Sequence, residues 1–313
     1  MITVALDGSG DYTSIQEAVN AVTVLPETIF IKKGIYKERV EIFKPFLTLE
    51  GEDAKDTVIT EGYYANMLME DGSKRRTFRT YTLLINTDNV TVKNLTIENS
   101  AGLGKNVGQA IALYAEGDRL TFNHCRLLGC QDTLFTGPLP EKEVEPGGFT
   151  GPTQTKVRKN GRQLYEDCYI EGEVDFIFGS GTAYFENCEI HSLNRFEEIN
   201  GYATAPSHPQ GQTYGYVFNH CHFTSDCPDG TVYLGRPWRI YGQTVLIECE
   251  LDGHIREEGF HDWNKADSHD ACLFAEYNCS GAGYTPDKRA SFVKQLTKDE
   301  AGFYTREKVL ASL

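Results

Sequence analysis

The sequence predicts an all-β solenoid, short strands wound into one continuous β-helix and closed by a short helix at each end. Three observations predict it. A degenerate strand phrase recurs along most of the chain, the composition suits strands and turns, and helical patterns occur only near the two ends. The chain has 313 residues with 30 glycines, 17 phenylalanines and 17 tyrosines, a balance that fits strands and tight turns better than a helical bundle.

The first element is helical. Ser14-Ile-Gln-Glu-Ala-Val-Asn-Ala-Val22 places apolar residues at 15, 18, 19 and 22, with Thr13 or Ser14 as its N-cap. A solenoid needs such caps because its terminal coils have no neighbour to cover them.

The repeat follows. A few alternating apolar residues lead to Asn, Asp or Glu near a Cys or Leu, and another short apolar run comes next. The phrase reads Val90-Thr-Val-Lys-Asn-Leu95, then Leu120-Thr-Phe-Asn-His-Cys125, Gln163-Leu-Tyr-Glu-Asp-Cys168 and Ala183-Tyr-Phe-Glu-Asn-Cys188. Tyr216-Val-Phe-Asn-His-Cys221, Val245-Leu-Ile-Glu-Cys249 and Phe274-Ala-Glu-Tyr-Asn-Cys279 continue it. Spacings of 20 to 43 residues describe one coil with loops of varying length inserted, whose turns bury one another's inner faces. Cys125, Cys168, Cys188, Cys221, Cys249 and Cys279 are then expected as an internal ladder, since a free cysteine packs as a small hydrophobe.

One stretch breaks the rhythm. Thr136 to Gly161 carries four prolines, five glycines and a mixed charge run, the composition of a long surface loop, and such loops in compact domains are often functional. Asp287 to Leu296 reads as a closing helix. No internal linker divides the chain, so residues 1–313 are expected to form one domain.

A net charge of −15 argues against nucleic acid and anionic membranes as partners. No apolar run is long enough to span a bilayer. The opening Met-Ile-Thr-Val lacks a basic and apolar leader, so the expectation is a cytoplasmic protein, or a secreted one if a leader has been removed. Nine cysteines cannot all pair internally, and in a reducing compartment all nine would be free.

The repeat also serves as a ruler. Asp132 lies seven residues after Cys125, and Asp175 seven after Cys168. If the cysteines stack, the two aspartates stack one coil apart, and adjacent strands are about 4.8 Å apart. Gln109 falls in register with Gln131. A lone aspartate is ordinarily a solvated turn carboxylate; two in register beside two glutamines depart from that. Close carboxylates resist double ionisation, so one stays protonated while the other ionises. The amides of Gln109 and Gln131 suit a developing oxyanion, and Arg236 suits a forked grip on an ionised aspartate. Strand alternation opposes the arrangement, because neighbouring residues such as Gln131 and Asp132 face opposite ways, so a bend or bulge is required there.

Aromatic faces are the other ingredient of a sugar site. Trp238 follows Arg236 by two positions, and Phe135 and Phe178 each follow an aspartate by three; core packing is the ordinary reading of both phenylalanines. Metal and serine chemistry find no pattern. There is no Cys-x-x-Cys, no His-Glu-x-x-His and no Gly-x-Ser-x-Gly, and His220-Cys-His222 lacks a third ligand.

These residues fall into ordered motifs. Gly34-Ile-Tyr-Lys-Glu38, Gln109-Ala-Ile-Ala-Leu113, Gln131-Asp-Thr-Leu134, Asp175-Phe-Ile-Phe-Gly179 and Leu234-Gly-Arg-Pro-Trp238 resemble, in order, the signatures of the pectin methylesterases, family 8 of the carbohydrate esterases. The resemblance runs nearly the full length, from Asp7-Gly-Ser-Gly-Asp-Tyr12 to Leu296-Thr-Lys-Asp-Glu-Ala301. It implies a right-handed, single-stranded parallel β-helix that hydrolyses the methyl esters of pectin or methylated oligogalacturonides. It implies Asp175 as nucleophile, Asp132 as general acid and then base, Gln109 and Gln131 as oxyanion hole, and Arg236 as the residue fixing Asp175. It implies Trp238, Phe135, Phe178, Val174 and Tyr241 along the galacturonate groove, and no metal or organic cofactor. Two departures stand out. The interval from Asp132 to Asp175 is about one coil too long, which the 136–161 loop accounts for, and Phe260 stands where the family commonly has Trp. The loop beside Asp132, with the acidic surface, leads to an expected preference for short or highly methylated substrates. The rival readings are an esterase or thioesterase acting on another acidic glycan or acyl ester, and a glycan-binding β-helix without turnover.

Overall fold

A computed structural model of the chain describes residues 1–311. Its strands stack into three sheets of 11, 7 and 8 strands, and every strand pair within them is parallel, as between Leu113–Ala115 and Leu134–Thr136. Successive strands pass from sheet to sheet, giving a right-handed parallel β-helix.

The repeated phrase is the corner where the chain leaves the 11-stranded sheet for the 8-stranded one. Asn94, His124, Asp167, Asn187, His220, Glu248 and Asn278 occupy that corner with φ between 48° and 55°. The left-handed conformation turns the chain within one residue, and Asn and Asp tolerate it best among residues with a Cβ. It directs the next residue inward, so Leu95 and the six cysteines are buried, none more than 7% exposed. The Cys188 thiol donates to the Tyr165 carbonyl of the preceding coil at 3.4 Å, and Cys221 to that of Phe185 at 3.4 Å. All nine cysteines are free thiols.

Three positions before each of four of these cysteines, an aromatic side chain enters the core. Phe122, Tyr165, Phe185 and Phe218 stack face to face, with successive centroids 4.7, 4.7 and 4.4 Å apart. Such a column locks coil register, because a slip of one residue would turn each ring to the outer face.

The helix Ile15–Ala21 covers the first coil, its Ser14 hydroxyl accepting the Glu17 N–H at 3.3 Å. The other end corrects the expectation. Asp287 to Leu296 is not a helix: it holds part of a single 3₁₀ turn, Pro286–Lys288, and a strand, Val293–Gln295, that pairs with Leu273–Tyr277. The last coil presents unpaired backbone groups at its edge, and a strand satisfies them where a helix does not. A buried pair between Arg289 and Glu276, 3.0 Å apart, fixes the segment. The closing helices come later, at Lys298–Ala301 and Arg306–Leu310.

Candidate active site

The 7-stranded sheet carries the predicted residues. The Asp132 N–H donates to the Val174 carbonyl at 3.1 Å, which sets Asp132 in register with Asp175 on the next coil. The Ala110 N–H donates to the Gln131 carbonyl at 3.0 Å, which lays the Gln109 coil against that of Gln131. The 136–161 insertion adds no coil between the aspartates, since Leu134–Thr136 pairs directly with Ile177–Gly179.

The obstacle raised by strand alternation is resolved in the backbone. Asp132 and Asp175 have φ of 63° and 52°, and register against strand Gly201–Pro206 shifts between Val174 and Ile177. Each left-handed aspartate breaks the alternation, and the Gln131 side chain weakly opposes the upward shift of the Asp132 carboxyl.

Both aspartates are nearly enclosed, at 7% and 8% exposure. Burial pushes both carboxyls above the usual range. For Asp132 the charge of Asp175 adds to the push. For Asp175 the guanidinium of Arg236 opposes it, with Nε and Nη2 donating to the two carboxylate oxygens at 2.8 and 2.7 Å. The pair is therefore asymmetric: both carboxyls are raised by burial, and only Asp175 is gripped by the guanidinium fork.

Arg236 is itself held on both faces. Its guanidinium carbon lies 3.8 Å from the Tyr202 ring centroid and 3.7 Å from that of Trp263, a double cation–π contact. Sequence reasoning missed both rings. Trp263 is the second of only two tryptophans, and that rarity was the available signal.

The proposed sugar-binding residues divide. Val174 packs with Tyr202 and Tyr233, which stack at 5.4 Å, next to the aspartates. Trp238 is half-buried and contacts Phe178 at 5.8 Å. Phe135 is fully buried and Phe178 nearly so, roofed by Phe78 and by Leu139 and Phe149 of the inserted loop. Tyr241 is partly exposed in the turn after Trp238 and joins neither aromatic cluster.

The family model described as Pectinesterase matches residues 1–138 and 148–312. The chain belongs to the pectinesterase family. Pectinesterases remove methyl esters from pectin, and this chain is accordingly a carboxylic ester hydrolase of that type. It is 35% identical over 314 residues to pectinesterase 31 of Arabidopsis thaliana, covering 97% of this chain and 90% of that protein. The pectin methylesterase PemA from Erwinia chrysanthemi has a TM-score of 0.83 at 30% identity, covering 100% of this chain and 97% of that one. A pectin methylesterase solved in complex with a hexasaccharide has a TM-score of 0.84 at 30% identity with the same coverage. The stretch that the family model leaves unmatched falls within the loop beside Asp132.

Proposed function

We propose that Asp175 and Asp132 carry out this pectinesterase's ester hydrolysis. Asp175, ionised by its forked pair with Arg236, attacks the methyl-ester carbonyl of a galacturonate unit. Asp132 gives its proton to the departing methanol, and an acyl-enzyme anhydride remains on Asp175. Asp132, now ionised, takes a proton from the incoming water, whose oxygen attacks the anhydride, freeing the galacturonate carboxylate and restoring both groups. The amides of Gln131 and Gln109 supply the oxyanion hole. The single observation that carries this reading is the asymmetry of the pair. Two buried carboxyls stand in register on adjacent coils, and only one is held by a guanidinium.

Val174, Trp238 and, through the cluster beneath, Phe178 and Phe135 shape the galacturonate groove, with Tyr241 at its margin. The finer substrate is a short or highly methylated oligogalacturonide, a reading supported by the roofed aromatic cluster and the acidic charge. The test is methanol release from methylated pectin. Asp175→Asn is expected to remove nearly all turnover with the thermal midpoint unchanged, since an amide forms no anhydride. Asp132→Asn is expected to lose roughly 10²–10⁴-fold. Wild-type-like rates in the Asp175 variant would reject the assignment.

A further inference from the structure

The two rings that hold Arg236 come from different kinds of structure. Tyr202 belongs to a strand of the 7-stranded sheet. Trp263 comes from a surface loop, and its backbone is unusual: Trp263 and Asn264 are consecutive left-handed residues, with φ of 56° and 55°. Bulky L-residues avoid that region, and it persists only where surroundings enforce it.

Part of the enforcement is local. His261 Nδ1 accepts the Trp263 N–H at 3.1 Å, Asp262 Oδ1 accepts the Asn264 N–H at 2.8 Å, and Asp262 Oδ2 meets His269 Nε2 at 3.0 Å. These bonds shape the loop but do not join it to the segment beyond Arg236. Lys265 makes that junction. Its ammonium donates to the carbonyls of Pro237 and Trp238 at 2.7 and 3.0 Å, and stands 4.3 Å from the Trp263 ring centroid.

We propose that Lys265 is a positioning residue for ester hydrolysis: its ammonium clasps the Trp263 loop to the Pro237–Trp238 backbone and keeps Arg236 square to Asp175. The role rests on the reading of Asp175 as nucleophile. The clasp needs charge. A neutral amine keeps two N–H donors but loses the charge-assisted strength and the cation–π contact.

Burial draws the Lys265 ammonium down to about 8, with Arg239 and Arg236 acting the same way and Asp175 and Asp267 opposing. Other charged or titratable groups around the loop are His261, Asp262 and His269, with Arg256 and Glu258 acting on His261. His261 and Asp262 are both lowered from their usual values, the first by burial and the second by its hydrogen bonds against burial, so neither changes charge near pH 8. The sign separates function from stability. A lysine whose folded pKa is depressed does not cost stability as pH rises through 8, because the unfolded chain holds the proton longer and stability rises. Activity is expected to fall over the same interval.

The experiment measures kcat and KM on a methylated oligogalacturonide between about pH 6.5 and 9.5, with an enzyme-free blank, together with tryptophan fluorescence. Trp238 and Trp263 are the only tryptophans and both touch Lys265, so the emission reports the clasp directly. Wild type is expected to lose kcat about tenfold through a midpoint near 8, at nearly constant KM, with a fluorescence transition at the same midpoint. Lys265→Arg, charged throughout, is expected to abolish the alkaline limb and the transition. Lys265→Met is expected to be slow at every pH, with an unchanged thermal midpoint. If Lys265→Met does not fold, Lys265→Arg and the wild-type profile decide. An alkaline limb retained in Lys265→Arg, or a fluorescence transition without loss of kcat, overturns the clasp. Failure of the nucleophile reading shows separately, as turnover retained by Asp175→Asn.

Discussion

At Asp132 and Asp175 a single backbone torsion does what strand alternation forbids. The sequence placed both aspartates in register through the cysteine ruler, and it placed Arg236 near them through a motif. It did not show the left-handed torsions, because aspartate is equally at home in turns, caps and solvated loops. Trp263 and Lys265 were illegible for another reason: they sit on a loop outside the repeat, where no register predicts a neighbour. The torsions matter because they bring Asp175 under Arg236, and that contact has a measurable signature. On the proposed mechanism Asp175 attacks in its ionised form, so activity rises with pH through its pKa. Burial lifts that pKa above the ordinary carboxylate range and the fork of Arg236 pulls it back. Arg236→Lys keeps a charge but loses the second hydrogen bond. The expected result is a kcat lower by on the order of 10²-fold, a modest change in KM, and an acid limb moved to higher pH. A pH profile of kcat checks all three, and an unmoved limb with full kcat would show that Arg236 does not control the nucleophile.

Among the elements, the corner between two sheets is where sequence reading worked best. The recurring Asn, Asp or His (once Glu, at 248) before each ladder cysteine is the residue that turns the chain, and the cysteine after it is the residue that enters the core. Reading failed at the closing segment, where helical spacing in 287–296 was overruled by the unpaired edge of the last coil. Tertiary pairing outweighs a short stretch of propensity. The corner also gives an element-level prediction. Glu248 holds the corner conformation at φ 52°, where its neighbours on adjacent coils, His220 and Asn278, show what the position accepts. Left-handed backbone costs an ordinary L-residue roughly 1–2 kcal/mol, and Asn much less. Glu248 is exposed, and its contacts with His220 at 3.5 Å and Asn278 at 3.3 Å are surface pairs worth about 0–1 kcal/mol. Glu248→Asn is therefore expected to raise stability by about 0.5–1 kcal/mol, and Glu248→Val to lower it by more than about 1 kcal/mol. Urea midpoints of the two variants decide, and equal midpoints would show that the corner torsion is not limiting.

For the whole molecule, the question is how one long loop and one strong charge act on a polymeric substrate. The insertion leaves the sheet directly after Asp132 and its strand, then returns over the sheet's outer face. Leu139 and Phe149 seal the aromatic cluster. Arg239 donates to the Lys142 carbonyl at 2.8 Å, and Arg76 to that of Pro146 at 3.1 Å. The loop is thus tied on one side to the segment that bears Arg236 and Trp238, and on the other to the loop that bears Phe78. It stands as a wall beside the site, with Glu141, Glu143 and Glu145 exposed along its tip. The molecule as a whole carries a net charge of −15. Sparsely methylated pectin is a polyanion, and like charges repel over roughly 8 Å at physiological salt. On the proposed preference, a short or highly methylated chain escapes both the wall and the repulsion. The expected outcome is a higher kcat/KM on methylated trimers to hexamers than on long, sparsely methylated pectin, with the polymer rate rising as salt is added and the oligomer rate nearly constant. Replacing residues 141–147 by a short turn retains Leu139 and Phe149 in the chain while removing the acidic tip together with its ties to Arg239 and Arg76. That variant is expected to gain on the polymer and change little on the oligomers. Equal rates on polymer and oligomers, indifferent to salt and to loss of the tip, would place the loop outside substrate selection.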